Sequence, residues 1–380
     1  MANHALLSAS SSHRWLNCPP SARLCEGYDD KGSDFAAEGT DAHALCEFKL
    51  RTALGMEGKN PTEDLSWYSS EMEECANGYV SFVMELVEEA KKTCPDPVVL
   101  IEQRLDYSKY VEEGFGTGDC LIIADGTLHI VDYKHGRGVL VEADDNPQMK
   151  LYALGALARY ALLYKVERVI LSIAQLRLGE PTEWETTPDE LYKWASEYVR
   201  PRAQQAYNGE GEFHAGDHCR FCRAKAKCRA YAEANMAVTE QHTPDEDPAL
   251  LTDEEIGRLL TRAEPFLKWF GAVQTYALDA ALGGKTIPGW KAVEGRSVRQ
   301  FDDIDAAFAD LRAAGIEDAL LYERKPLTLS GVERLLGKKQ FAELCGGHVV
   351  KPAGKPTLVP ESDNRKPYSR AAADFAAIEQ

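Results

Sequence analysis

The stretch Gly116–Gly138, GTGDCLIIADGTLHIVDYKHGRG, gathers two aspartates and a lysine around a single turn signal. Asp125-Gly126 between two apolar runs predicts a two-residue hairpin turn. With those residues as the turn, Ala124 faces Thr127, and counting outward sets Asp119 opposite Asp132. The two-residue period then puts Lys134 on the face of Asp132. Like charges directly opposite one another destabilise a sheet unless positive charge lies between them, so the pattern asks for a metal ion and an ammonium group. Carboxylates hold Mg²⁺ or Mn²⁺, a metal so held polarises a phosphate and activates water, and Lys134 steadies the hydroxide or the charge developing at phosphorus. That is the chemistry of metal-dependent phosphodiester hydrolysis. The competing reading is a solvent-facing hairpin carrying an ordinary Asp–Lys ion pair.

Other residues could join this group. Glu102 lies inside VVLIEQRL, where a carboxylate is costly to bury unless paired or metal-bound, although the polar face of an edge strand would also accept it. His43, in EGTDAHALCEF, falls on a helical pattern and offers a neutral imidazole as a third ligand, or is simply a packed or surface histidine. Gln148 and Tyr152 are four apart and share one helix face. Far downstream, HCRFCRAKAKCRAY spaces Cys219, Cys222 and Cys228 as C-x2-C-x5-C.

The elements that must position these residues follow from periodicity. Helices are predicted over 34–56 and 68–93, the latter with Ala76, Tyr79, Val80, Val83, Leu86 and Val87 at three- and four-residue steps. Strands are predicted over 98–105, 119–124 and 127–134, then a helix over 146–164, a strand over 168–175 and a helix over 188–207. The acidic, proline-bearing 237–250 reads as a linker. Beyond it come a helix over 253–282, a strand-like piece GWKAVEGRSVRQF, helical patterns over 302–314 and 329–344, and an apolar-poor tail that is extended or disordered. The expected organisation is an α/β domain over 1–236, the linker 237–250, a mainly helical C-terminal domain over 251–350, and the tail 351–380.

Composition narrows the class. A chain of 380 residues, 44% hydrophobic and 27% charged, is long enough for two domains, and no run of about 18 apolar residues is present to cross a bilayer. No secretory signal is visible, so a reducing, cytoplasmic setting is expected, where ten cysteines are not a disulfide framework. Cys46, Cys75 and Cys120 fit helical or strand patterns as small hydrophobes. The net charge of −18 argues against a basic coat for nucleic acid but not against a nuclease, because clustered metal-binding carboxylates contribute to such a charge.

Taken in order, Gly39-x-x-x-His43, Glu102, Gly118-Asp119, Asp132-Tyr-Lys134 and Gln148-x-x-x-Tyr152 resemble the PD-(D/E)XK nuclease superfamily. The likeness is to its RecB-type branch, with the Cas4 proteins and the AddB nuclease domain, over about residues 1–235. The resemblance implies a restriction-endonuclease-like core in which His43, Asp119, Asp132 and the backbone carbonyl of Tyr133 ligate Mg²⁺ or Mn²⁺. Glu102 is similar to the acidic residue of the preceding strand and Lys134 to the catalytic lysine, while Gln148 and Tyr152 would orient the site or contact DNA. Iron–sulfur members of the branch take a fourth thiolate from a serine-containing approach to a Cys-Pro step. SASSSHRWLNCP looks like that approach, which implies a [4Fe–4S] cluster on Cys18, Cys219, Cys222 and Cys228, its charge offset by Arg220, Arg223, Lys225 and Lys227. A Zn²⁺ site completed by Cys18, His214 or His218 is the alternative, and Cys25 is a rival fourth ligand.

The pieces GWKAVEGRSVRQF and GKPTLVPESDNRKPYS, joined to this core, look like the phage and prophage proteins grouped as DUF2800. The resemblance implies a bacterial host cell, DNA as substrate, an exonuclease or end-processing role in phage DNA replication or recombination, and a recombination or single-strand annealing or binding protein as partner. The contrasting expectation is a catalytically weak DNA-binding or scaffold protein of the same fold, with zinc in place of the cluster. A zinc-stabilised RNA-processing factor is disfavoured by the lack of an aromatic RNA-binding signature.

Overall fold

A β-hairpin at the centre of the chain sets the architecture. Asp125 (φ 45°) and Gly126 (φ 76°) both take left-handed backbone conformations, the requirement of the type I′ turn whose twist matches that of paired strands. The turn joins β2 (Phe115–Ala124) to β3 (Thr127–Tyr133) in the register expected from the sequence, with Ala124 opposite Thr127 and Cys120 opposite Val131. In this computed structural model, which describes residues 5–28, 32–240, 253–293, 303–314, 321 and 329–349, β1 (Val98–Asp106), β4 (Arg168–Ala174) and β5 (Thr182–Thr186) complete a five-stranded sheet ordered β1-β2-β3-β4-β5. Every neighbouring pair is antiparallel except β3 and β4, which are parallel. The sheet is therefore mixed. Strand β5, TEWET, has no apolar run to announce it; it pairs through its backbone along the edge and leaves Glu183 and Glu185 exposed.

Helices cover both faces. Ahead of the sheet, α1 (Ser12–Asn17), α2 (Ser21–Glu26), α3 (Asp34–Ala53) and α4 (Ser70–Thr93) follow one another. Ser33 and Ser69 cap α3 and α4, each side chain accepting the N–H three residues on. Met72, Cys75, Ala76, Tyr79, Val83 and Val87 form the buried stripe of α4 against Ile101, Cys120, Ile122, Val131 and Tyr133 of the sheet. The parallel crossover from β3 to β4 is made by α5 (Pro147–Tyr160), opened by the Asn146 cap and by Pro147, whose missing N–H costs nothing in a first turn. It packs on the other face over Leu105, Leu121, Ile123, Leu128, Ile130, Val169 and Leu171. A Cβ at Gly155 would lie 2.8 Å from the Leu105 Cβ, so glycine lets α5 rest directly on β1.

The helix expected over 188–207 is α6 (Pro188–Trp194) and α7 (Arg200–Asn208), joined by a π-helical turn, Ala195–Val199. Pro201 has no N–H to donate and crowds the carbonyl four residues back, which accounts for the widened turn beside it. After α8 (Arg229–Glu240) and α9 (Asp253–Leu282), helices Ile304–Ala313, Leu329–Leu336 and Lys338–Cys345 occupy the positions read from periodicity. The strand-like piece over 289–301 is not a strand where it is described: Gly289–Val293 is irregular apart from one bridge between Ile287 and Trp290. The chain divides into two compact units, Met1–Ala280 and Ala281–Gln380. Most of the expected linker 237–250 and the whole tail 351–380 lie outside the described residues. Among the described residues no helix is long and apolar enough to cross a membrane.

Candidate metal centre

Side-chain alternation breaks on both strands at one point, Glu102 opposite Asp119. Along β1, Val99 and Ile101 face α3 and α4, whereas Val98 and Leu100 face α5. Beyond Glu102 the parity is reversed: Gln103 accepts a hydrogen bond from the Tyr160 hydroxyl of α5, and Leu105 lies in the α5 core. Strand β2 does the same, since Cβ atoms at Gly116 and Gly118 would strike Tyr152 of α5 and Leu105, although Cys120 faces α4. The ladder itself keeps step, with Ile101 opposite Cys120 and Gln103 opposite Gly118. Glu102 absorbs the reversal with φ of 52°, a conformation unfavourable for a residue with a side chain and typical of sites where backbone strain aims a functional group.

The consequence is a compact donor group. Single ligand atoms of His43, Glu102 and Asp119 all lie within 4.8 Å of one another. His43 comes from the middle of α3, its Nδ1 3.4 Å from Asp119 Oδ1, and the second oxygen of Asp119 accepts the Tyr133 N–H at 2.7 Å. A cavity of about 10 Å³, lined by His43, Glu47, Tyr79, Glu102, Asp119 and Tyr133 among others, is the size of one water-sized sphere. Two carboxylates and an imidazole around such a space suit Mn²⁺ or Mg²⁺ completed by water, the imidazole favouring Mn²⁺.

Asp132 and Lys134 share the α5 face, as the two-residue period requires. Lys134 Nζ lies 2.8 Å from Asp132 Oδ2 and donates to Gln148 Oε1 at 3.3 Å. The Gln148 amide in turn donates to Asp132 Oδ1 (3.3 Å) and to the Tyr152 hydroxyl (3.1 Å). Asp132 is buried, and its Oδ2 has no hydrogen bond of good geometry despite the nearby ammonium. The expected ligand set is thus rearranged. Glu102 stands with His43 and Asp119, while Asp132 stands next to them, bound to Lys134 and Gln148. Tyr133 reaches the group through its N–H and through its ring, set edge-on 5.5 Å from His43.

Charge crowding shows in the titration of these groups. Burial, then the neighbouring Asp119 and Glu47, push the Glu102 carboxyl up to about 7. Burial, together with the charge of Asp119, raises Asp132 despite Lys134. Burial acts on Asp119 too but is outweighed by His43, the Tyr133 N–H and Lys134, which hold it below the usual range. Burial works against charge on Lys134, yet Asp132 and Asp119 keep it an ammonium with a raised pKa. Between its unfolded pKa of about 4.3 and its folded value, Glu102 is protonated in the folded state only, so metal-free stability should fall as pH rises through that window. The decline should amount to about 4 kcal/mol at most. Thermal melts in chelator from pH 4.5 to 8 should show it in wild type and show a flatter profile in Glu102→Gln; parallel profiles would remove this account of Glu102.

Behind the group lies a polar network that local sequence does not announce. Arg177, after β4, has a side chain only 4% exposed and contacts Glu38 of α3, Glu71 of α4 and the His135 carbonyl. Its members come from four distant segments, so no spacing pattern joins them.

At the other end of the domain five cysteines converge. Trp15, fully buried, donates to the Ser8 carbonyl, and Arg23 of α2 donates to the Tyr207 carbonyl of α7. The SASSSHRWLNCPP segment meets the loop that carries the C-x2-C-x5-C spacing where His13 sets its ring edge-on, 6.1 Å from that of His218. Cys25 Sγ is 3.7 Å from Cys222 Sγ and receives a hydrogen bond from Arg14. Burial raises the Cys219 thiol, and Cys18 and Cys228 are near enough to add to the rise. Among the described residues no three thiols come within 4.8 Å of one another.

Comparison with known proteins decides the family. The family described as "Protein of unknown function (DUF2800)" matches residues 4–366. The chain belongs to the DUF2800 family. A solved structure described as "Crystal structure of SSO0001" is similar at 17% identity, over 49% of this chain and 95% of its own, with a TM-score of 0.23, too low to argue from. In this DUF2800 protein His43 lies in α3, Asp119 in β2, Asp132 in β3 with Lys134 just past the strand's end, and Gln148 and Tyr152 in α5. The sequence reading missed Glu38, Glu71, His135 and Arg177. It also missed the kink that turns Glu102 inward.

Proposed function

We propose that this protein is a metal-dependent DNA nuclease with a PD-(D/E)XK-type core, acting as an exonuclease or end-processing enzyme in phage DNA replication or recombination inside a bacterial host. The observation that carries the reading is the His43–Glu102–Asp119 donor group set directly beside the buried Asp132–Lys134 pair. His43, Glu102 and Asp119 would hold Mg²⁺ or Mn²⁺, with Asp132 and the Tyr133 carbonyl available next to them. The bound ion would supply Lewis-acid polarisation of a phosphodiester and a lowered pKa for water. The chain's own residues supply the rest. Lys134, held charged by Asp132 and Asp119, stands where an ammonium stabilises negative charge developing on a phosphate oxygen. Gln148 bridges Lys134, Asp132 and Tyr152 and so helps fix the ammonium beside Asp132. Burial of Asp132 and Tyr152 keeps water from screening these charges.

Cys18, Cys219, Cys222 and Cys228 would hold a [4Fe–4S] cluster as a staple between the N-terminus and the end of the nuclease domain. The mainly helical C-terminal part would contact a recombination or annealing partner. Hydrolysis of end-labelled linear DNA tests the reading: cleavage of single- or double-stranded DNA should require Mg²⁺ or Mn²⁺ and stop with EDTA. If DNA and RNA of both forms survive with either metal, the protein is not a nuclease.

A further inference from the structure

We propose that Arg177 is a positioning residue for the metal centre, clamping the ends of α3, α4 and β3 so that His43 and Asp119 are held at ligand distance. The inference rests on the reading of that centre as a metal site. Burying a guanidinium is expensive, and an apolar replacement of a buried ion pair is often neutral or better for stability, so its retention here calls for another role. Both terminal nitrogens of Arg177 are engaged, with Nε left unpartnered: Nη2 donates to Glu38 Oε1 at 2.6 Å and to Glu71 Oε2 at 3.1 Å, and Nη1 donates to the His135 carbonyl at 3.1 Å. Only a planar fork reaches acceptors on three elements at once; a lysine ammonium is a point charge.

Both routes out of this clamp end at the donor group. Glu38 stands five residues before His43 on the same helix, so fixing Glu38 fixes the height and rotation of His43 through rigid backbone. On the other side, His135 Nε2 faces Glu38 Oε1 at 3.4 Å and its Nδ1 shares a hydrogen bond of 2.7 Å with the Tyr133 hydroxyl. The Tyr133 ring backs the His43 imidazole, and its N–H fixes Asp119 Oδ2. Residues outside the ligands that orient them commonly change metal affinity by about 10–100-fold when altered.

The test is Mn²⁺ titration of the full chain, followed by the electron paramagnetic resonance of free Mn²⁺, for wild type, Arg177→Lys, Glu38→Gln and the control Arg168→Lys. Arg168 forks onto Glu185 at the opposite sheet edge, so its variant disturbs an Arg–Glu pair away from the centre. Arg177→Lys and Glu38→Gln, with wild-type circular dichroism, should each bind Mn²⁺ about 10-fold or more weakly, and Arg168→Lys should bind as wild type. A folded Arg177→Lys with wild-type affinity would show that Arg177 only balances charge, and overturns the proposal. Loss of fold in both clamp variants overturns it as well, the clamp then being scaffold. No Mn²⁺ binding by wild type is a different result: it removes the metal centre itself, and this inference with it.

Discussion

Asp119→Asn should lower metal-dependent hydrolysis of linear DNA by about 10³-fold or more while costing the metal-free protein less stability than Lys134→Met does. Asp119 is where the centre is joined: one oxygen meets His43 and the other is fixed by the Tyr133 N–H. Asparagine keeps the shape and can still accept from Tyr133, but it loses the charge that a divalent ion needs. It gives up the attraction of His43 and Lys134 that keeps Asp119 ionised but relieves the repulsion that raises Glu102 and Asp132, so its two effects on stability oppose each other. Lys134→Met should behave differently. It strands the buried Asp132 carboxylate without its ammonium, so activity and melting temperature should fall together. Initial rates with Mn²⁺ and melts in chelator distinguish the two, and an Asp119→Asn protein that cuts DNA at the wild-type rate would refute the assignment of the centre.

The second large effect lies at the cysteine end. Anaerobically purified protein should be brown, with broad absorption near ~400 nm, and Cys18→Ser or Cys219→Ser should abolish the colour and lower stability by about 2–5 kcal/mol, as loss of a long-range cross-link does. The stability effect follows from what is tied together: α1 and α2 pack on α7 and on the loop carrying Cys219, so the link closes nearly the whole first unit. Cys25→Ser separates the ligand sets. If Cys18 is the fourth ligand, Cys25→Ser keeps its iron and loses only the contact with Cys222; if the colour disappears with Cys25 and survives Cys18→Ser, the fourth ligand is Cys25. Colourless protein with one equivalent of zinc would replace the cluster by a zinc site.

Features that depend on neighbours in the chain were legible before any fold was known. Asp125-Gly126 specify their own turn, a two-residue loop admits one register, and the register dictates that Asp132 and Lys134 share a face. Apolar spacing likewise located α3, α4 and α5, and the C-x2-C-x5-C spacing marked its segment as a ligand loop. These are local relations, set by backbone sterics and a fixed period.

The composition of the centre was a different matter. Strict alternation would leave Asp119 in a row with Asp132, yet the paired reversal at Glu102 and Asp119 turns Glu102 toward His43, at a backbone cost that only the surrounding packing sustains. Strand β5 was invisible because an edge strand can be held by backbone pairing alone. The clamp of Arg177 on Glu38, Glu71 and His135 joins residues far apart in sequence, each an unremarked charged or polar side chain by itself. What the sequence determined by itself was which groups could do chemistry and the hairpin that carries three of them. Which of those groups meet, and what holds them at that distance, was decided by the packing of helices on both faces of the sheet, because ligand geometry depends on the relative placement of elements that no local pattern encodes.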